Sequence, residues 1–180
     1  MLELFERGGE AAWLRSFHFT LEVRPRFCET DALGHVSNTV YTTYFELGRL
    51  RMLAAIGEAD DAPKRTFAFN HLAVEIAFRM LRPCFYEEEL LVHTRVASLG
   101  TSSMTMEHAL TAAETEELRA IARIVVVGSD GERAVPWTPG QRTKLEAFEG
   151  RALGADGPAS SRGSAKRHPQ VVPPSNLAAG

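Results

Sequence analysis

The sequence predicts a single α+β domain in which a five-stranded antiparallel sheet wraps around one long helix. Its 180 residues, 44% of them hydrophobic, suit one globular domain with a core of ordinary size. One strand-like run is followed by a long helical pattern, and four more strand-like runs come after it. An antiparallel sheet of this kind has an apolar face to cover, and this helix is the long one available to cover it.

The first strand and the helix come early in the chain. The strand is predicted over Phe19 to Phe27, where Pro25 indicates an edge or a bulge. From Thr39 to Ile56 apolar residues recur at helical spacing on more than one face, which predicts a largely buried helix. Gly48, in mid-helix, costs about 1 kcal/mol relative to alanine. Its presence therefore indicates close packing against another backbone. Ser37 or Asn38 is the expected N-cap, and Gly57 the expected C-terminal stop.

Four strands are predicted after the helix, in an antiparallel meander. Two of them alternate apolar residues with other residues, so that each strand has one apolar face. The alternating apolar positions are Val74, Ile76, Phe78 and Met80 in one strand, and Leu90, Val92, Thr94 and Val96 in the next. The runs "TSSMTMEHALTA" and "ELRAIARIVVVGSDG" supply the last two strands.

A short helix is predicted at the end of the domain. Thr138 is its N-cap, Pro139 its first residue, Gln141 completes a capping box and Gly150 is its stop. We therefore assign residues 1–18 to an N-terminal extension and 19–150 to the domain. Residues 151–180 are rich in Gly, Pro, Ser and Ala and have no aromatic residue, which predicts a flexible tail.

Charge and cysteine content exclude several classes of protein. Twenty basic and 23 acidic residues give a net charge of -3, so no overall field favours nucleic acid or an anionic membrane. No apolar run approaches the ~20 residues of a membrane span, and acidic residues occupy the N-terminus where a signal peptide is apolar. We expect a cytoplasmic protein. Cys28, on the predicted first strand, and Cys84 are expected to be reduced and structural.

The stretch "ETDALGHVSNTVYTTYFELGRL" carries the most specific signal in the chain. It resembles the D-x-x-G-H-V-N-N-x-x-Y-x-x-Y-F-E-x-x-R signature of the 4-hydroxybenzoyl-CoA thioesterase-like group of hot-dog-fold acyl-CoA thioesterases. The matching residues are Asp31, Gly34, His35, Val36, Asn38, Tyr41, Tyr44, Phe45, Glu46 and Arg49. Two departures are Ser37 in place of Asn, and Tyr86-Glu87-Glu88 where a Gly-Asp turn usually precedes strand three.

The resemblance implies a thioesterase with Asp31 as its catalytic residue, and a homodimer or homotetramer with active sites between subunits. The chemistry is consistent with this role. Asp31 could attack the thioester directly or deprotonate a water, while the unpaired amides near Asn38 polarise the carbonyl. Gly34 would let the chain turn closely beside the substrate. We expect no metal and no cofactor other than the coenzyme A of the substrate.

Several residues have structural alternatives to a role in the site. Asp31 can be a cap or loop residue, and His35 more often hydrogen-bonds backbone than substrate. Tyr41 is interpreted as core or pocket wall. Glu46 either pairs with Arg49, the favoured interpretation, or faces the ligand cavity.

The function also has alternatives. The same centre would serve an acyl-carrier-protein thioesterase, and the fold would serve an acyl-binding module without activity. A hot-dog hydratase is disfavoured because its G-D-x-N-P-x-H type motif is absent. The phosphates of coenzyme A need basic side chains, for which the candidates are Lys64, Arg65, Arg79, Arg82 and Arg95.

Overall fold

A computed structural model describes residues 9–57, 71–130 and 132–154. Its elements are α1 (Gly9–Leu14), β1 (Phe19–Val23), a 3-10 helix (Phe27–Glu29), α2 (Asn38–Ala55), β2 (His71–Met80), β3 (Leu90–Leu99), β4 (Ser103–Ala112), β5 (Leu118–Gly128) and α3 (Pro139–Glu149). The predicted tail lies outside the described residues from 155 onward. Among the described helices, none is long and apolar enough to cross a membrane.

The five strands form one antiparallel sheet in the order β1-β3-β4-β5-β2. The α+β fold class and its five-stranded antiparallel sheet are therefore confirmed. The meander is wrong for β2, because only β3, β4 and β5 pair in chain order. Short turns join those three strands, which favours neighbouring positions. The longer connection after β2 lets that strand pair with the far side of β5.

The core lies between α2 and the inner face of the sheet, where α2 packs over β1, β3 and β4. The predicted alternation in β3 is confirmed, since Leu90, Val92, Thr94 and Val96 are all buried. Gly48 faces this sheet, and a Cβ atom there would lie 2.7 Å from Thr94 Oγ1. The expected close packing at Gly48 is therefore present, although its neighbours are strand side chains and not backbone.

The apolar face of β2 is largely exposed in this single chain. Val74, Ile76 and Met80 have 54%, 49% and 42% of their surface exposed. The strand lies at an edge of the sheet and is broken by a bulge between Ala73 and Glu75. The alternation predicted a strand correctly, but the described part of the chain does not cover the face that it presents.

Two predictions about the first strand are wrong. β1 ends at Val23 and not at Phe27, and Cys28 lies exposed in the 3-10 helix. Pro25 follows the strand and has no N–H group for a ladder hydrogen bond. The chain then turns, with Glu29 accepting a hydrogen bond from the Arg26 N–H at 2.8 Å. Cys84 is buried and free, as expected.

The observed ends of α2 and α3 lie close to the predicted ones. α2 begins one residue before the prediction and ends one residue before it, with Ser37 as N-cap and Gly57 at a φ of 73°. In α3 the Thr138 hydroxyl accepts from the Gln141 N–H, and Gly150 adopts a left-handed conformation. No helix was predicted in the N-terminal extension. There α1 packs Trp13 on the outer face of the sheet.

Candidate active site

A tight turn between the 3-10 helix and α2 holds Asp31. The Asp31 N–H donates to the His35 carbonyl at 2.8 Å, and the Gly34 N–H donates to the Asp31 carbonyl at 3.0 Å. Gly34 has a φ of 78°, a conformation that glycine adopts without a steric penalty. A glycine was expected to be needed in this turn, and the positive φ of Gly34 is the reason.

The carboxylate of Asp31 is exposed and stabilises its own turn. Its Oδ1 accepts hydrogen bonds from the N–H groups of Leu33 at 2.8 Å and His35 at 3.3 Å. Oδ2 has no hydrogen-bond donor among the described residues. Asp31 therefore does stabilise its loop, as the sequence allowed, but it uses only one of its two carboxylate oxygens to do so. The other oxygen remains available for chemistry.

The turn is joined to two neighbouring segments by backbone hydrogen bonds. On one side Thr30 forms a bridge with Val36. On the other side the Val36 N–H donates to the Cys84 carbonyl at 2.9 Å, and His35 forms a bridge with Phe85. The His35 ring lies edge-on to the Phe85 ring at 5.3 Å. The contacts of His35 within the described chain are thus those of a residue that orients the loop.

The N-terminus of α2 presents unpaired backbone donors. Ser37 is the N-cap, but its hydroxyl contacts the Thr39 hydroxyl at 3.3 Å and does not cap the helix. The N–H groups of Asn38 and Thr39 have no acceptor in the described part of the chain. No acidic residue lies in the first turn of α2. The positive end of an 18-residue helix is therefore left without a compensating charge of its own.

A cleft of about 340 Å³ brings these features together. It is lined by Asp31, Leu33, His35, Val36, Asn38, Tyr41, Met80, Leu81, Arg82 and Pro83. Four predicted site residues, Asp31, His35, Asn38 and Tyr41, share this one cleft. The sequence reasoning did not assign the end of β2 to the site. Its exposed apolar residues next to an Arg-Pro pair were the available signal.

Tyr41 and Tyr44 connect α2 to the segments on either side of its N-terminus. The Tyr41 hydroxyl accepts from the Cys84 N–H at 3.3 Å, and the Tyr44 hydroxyl donates to Glu29 Oε2 at 2.9 Å. Burial raises the pKa of both phenols. The hydrogen bond to Glu29 raises the pKa of Tyr44 further, whereas the Cys84 N–H acts in the opposite direction on Tyr41. Both hydroxyls therefore stay protonated at neutral pH. Glu29 was missed by the sequence reasoning, because its partner is remote in the chain.

Glu46 does not line the cleft. The predicted pairing with Arg49 is present, with 3.4 Å between Arg49 Nη2 and Glu46 Oε1. However, the Glu46 side chain is 60% exposed, whereas Arg49 is the buried partner. Burial lowers the pKa of Arg49, against the opposing charge of Glu46. Arg49 is therefore the desolvated member of this pair, and Glu46 the solvated one.

The candidate phosphate-binding residues are separated by the fold. Arg82 lines the cleft but pairs with Glu117 at 2.9 Å. Arg79 is exposed on β2. Arg95 binds Glu107 at 2.6 Å on the outer face of the sheet, beneath α1. Lys64 and Arg65 lie outside the described residues.

The turn before β3 has an unusual backbone where the sequence departs from the signature. Glu87 adopts a φ of 61°, a left-handed conformation that favours glycine. Glu88 accepts from the Phe85 N–H at 3.0 Å and pairs with Arg119. The turn therefore keeps its shape without glycine, and Glu88 holds the segment that contacts His35. Within the described ranges, no group of three or more His, Cys, Asp or Glu residues could hold a metal ion.

These features, a five-stranded antiparallel sheet over one long helix with an aspartate beside its N-terminus, are those of the hot-dog thioesterases. The chain belongs to the thioesterase-like superfamily, which it matches over residues 25–145. A thioesterase from Thermus thermophilus, solved with coenzyme A and zinc, superposes with a TM-score of 0.66 at 32% identity, covering 76% of this chain and 98% of that one.

Two further relatives extend the comparison. A member of the thioesterase superfamily from Jannaschia sp. CCS1 has a TM-score of 0.66 at 27% identity, covering 85% of this chain and all of that one. The YsmA protein of Bacillus subtilis strain 168 is 28% identical over 134 residues, which is 74% of this chain and 88% of YsmA. The match to the superfamily begins after α1, so the N-terminal extension lies outside it.

Proposed function

We propose that the protein is an acyl-CoA thioester hydrolase that releases coenzyme A and a carboxylic acid. The observation that carries this proposal is the shared cleft of Asp31 and the N-terminus of α2. Asp31, which has a carboxylate oxygen without a donor among the described residues, and Asn38, whose backbone N–H has no acceptor among them, both line this cleft. Thioester hydrolysis needs both an attacking oxygen and donors for the oxyanion that forms.

Two routes are consistent with this arrangement. In the first, Asp31 Oδ2 attacks the carbonyl carbon, the C–S bond breaks, and the coenzyme A thiolate departs. The acyl group is then joined to Asp31 as a mixed anhydride, which water hydrolyses. In the second, Asp31 accepts a proton from a water whose oxygen attacks the carbonyl, the C–S bond breaks, and the protonated Asp31 returns its proton to the departing thiolate. In both routes the Asn38 and Thr39 amides stabilise the negative charge on the carbonyl oxygen.

The rest of the proposal concerns carrier, assembly and location. Coenzyme A is the proposed carrier because the similar Thermus thermophilus thioesterase was solved with it. Arg82, which also pairs with Glu117, is a basic residue that lines the cleft. A closer relation to the 4-hydroxybenzoyl-CoA thioesterases rests on the motif around Asp31. We further propose a homodimer or homotetramer that works in the cytoplasm without a metal or added cofactor, and that binds neither nucleic acid nor membrane.

The test is a panel of aryl-, short-chain and long-chain acyl-CoA substrates, with release of free thiol as the readout. The same acyl groups on acyl-carrier protein form the second arm. Turnover of at least one acyl-CoA supports the proposal, and the best substrate identifies the acyl class. Turnover of the acyl-carrier-protein substrates alone would reassign the carrier. Binding of acyl-CoA without release of thiol would reassign the protein as an acyl-binding module.

A further inference from the structure

The geometry points to Glu29 and Tyr44 as a positioning pair that holds Asp31 in register with the N-terminus of α2. Neither residue lines the cleft. The inference rests on the proposed function, because it assigns a role in the reaction to residues that act through Asp31. It is tested below in a way that separates its failure from that of the proposed hydrolase activity.

The carboxylate of Glu29 accepts four hydrogen bonds. Its Oε1 accepts from Arg26 Nε at 3.0 Å and Nη2 at 2.7 Å. Its Oε2 accepts from the Arg26 backbone N–H at 2.8 Å and from the Tyr44 hydroxyl at 2.9 Å. Partial burial acts to raise the pKa of Glu29, but the hydrogen bonds from Arg26 and Tyr44 outweigh it and hold the pKa below its ordinary value. Glu29 is therefore an anion fixed from several directions.

Glu29 also closes the loop that carries Asp31. The backbone carbonyl of Glu29 accepts a hydrogen bond from the Ser37 N–H at 2.8 Å. Because Ser37 is the N-cap of α2, this hydrogen bond joins the start of the loop directly to the helix. The Glu29 side chain is bonded to Tyr44, which projects from the second turn of the same helix. One residue thus fixes both the start of the loop and the distance of the loop from α2.

The tip of the loop, in contrast to the buried Val36 at its end, is held by hydrogen bonds and not by side-chain packing. Asp31, Leu33 and Gly34 are all exposed, and Leu33 has 78% of its surface exposed. Tyr44 in contrast is only 3% exposed and sits in the core cluster. The Tyr44 hydroxyl therefore transmits the position of the rigid helix to an exposed turn. A displacement of about 1 Å in a reacting group can lower a rate by about 100-fold.

The test begins with Tyr44→Phe, which removes one oxygen and keeps the buried ring. We expect kcat to fall between about 10-fold and 100-fold, with little change in the Kd for coenzyme A or in Tm. Tyr86→Phe is the matched control, since the Tyr86 hydroxyl interacts with Glu87 and not with the loop. Glu29→Gln retains an acceptor for Tyr44 and should lose less activity than Glu29→Ala.

A double-mutant cycle with Asp31→Asn separates positioning from general stability. If Tyr44 acts through Asp31, Tyr44→Phe should lower the residual rate of the Asp31→Asn enzyme by less than about 2-fold. An equal loss in both backgrounds, or a wild-type kcat in Tyr44→Phe, would overturn the inference while the hydrolase activity stood. A wild-type enzyme that hydrolyses no acyl-CoA would instead contradict the proposed function.

Discussion

Gly48 of α2 lies directly against Thr94 of β3, so closely that a Cβ atom at Gly48 would come within 2.7 Å of Thr94 Oγ1. The same Cβ atom would lie 2.7 Å from Val92 Cγ1. Both neighbours are buried strand residues that belong to the packed interior. The close approach of α2 to the sheet, which sets the position of its N-terminus above the cleft, therefore depends on the missing side chain.

Gly48→Ala should lower the stability of the protein, although alanine is the better helix former. The helix gains about 1 kcal/mol in propensity, but overpacking a rigid core costs typically about 1–3 kcal/mol. We expect a net loss in the free energy of unfolding, measured by urea denaturation. Gly140→Ala in α3 is the control, because nothing lies within 4 Å of its Cβ position. A Gly48→Ala protein more stable than wild type would contradict the packing described.

The exposed edge strand β2 predicts self-association of the protein. Its unpaired edge and its apolar side chains, Val74, Ile76 and Met80 among them, suit pairing with the same strand of a second copy. We expect wild-type protein to run as a dimer or larger in light scattering. Ile76→Lys should shift it toward monomer, because the interface would then bury an unpaired charge.

A control for this prediction lies at the other edge of the sheet. Glu22 is an exposed residue of β1, and Glu22→Lys should leave the molecular mass unchanged. If the active site needs a second subunit, thiol release should fall together with dimer content in Ile76→Lys. A stable wild-type monomer that is active at assay concentration would rule out this assembly.

His108 predicts a loss of stability in mild acid. Burial, and then the nearby charge of Arg49, lowers the pKa of this imidazole to about 3. In the unfolded chain it titrates near 6.5, so the unfolded state binds the proton first as pH falls. The stability that the neutral imidazole maintains is complete above about pH 6.5 and is lost progressively down to about pH 3.

The contribution of His108 can be isolated by substitution. His108→Asn keeps a short polar group that can reach the Thr94 hydroxyl, which lies 3.0 Å from His108 Nδ1. Between about pH 3.5 and 6, wild type should lose about 1.4 kcal/mol more per pH unit than the variant, the value for one proton. Parallel stability curves for the two proteins would show that His108 does not titrate in this way.

The sequence predicted the elements better than their arrangement. The helical spacing placed α2 within a residue at each end, and the capping box around Thr138 located α3, because local chemistry decides both. The position of β2 beside β5 could not be derived from alternation, since periodicity reports which residues share a face and not which strand is the neighbour. The end of β1 was misjudged because residues beyond Pro25 are β-compatible in type.

Only the part of the site that depends on residues close together in sequence was predicted. Asp31, His35 and Asn38 are close in sequence, so one motif was sufficient to bring them together. Glu29 and Tyr44 are 15 residues apart, and no pattern marks a hydrogen bond between them. Glu46 and Arg49 were paired correctly, but which one is buried depends on the packing around α2. Local spacing does not contain that information.

The central claim is that the Asp31 carboxylate performs the chemistry, and Asp31→Asn tests it most directly. The amide oxygen of asparagine can still accept from the Leu33 and His35 N–H groups, so the turn should persist. It lacks the negative charge that attack on the carbonyl or on a water proton requires. We predict a fall in kcat of at least about 100-fold, with Tm and the Kd for coenzyme A little changed. A folded Asp31→Asn protein with near wild-type kcat would contradict this account.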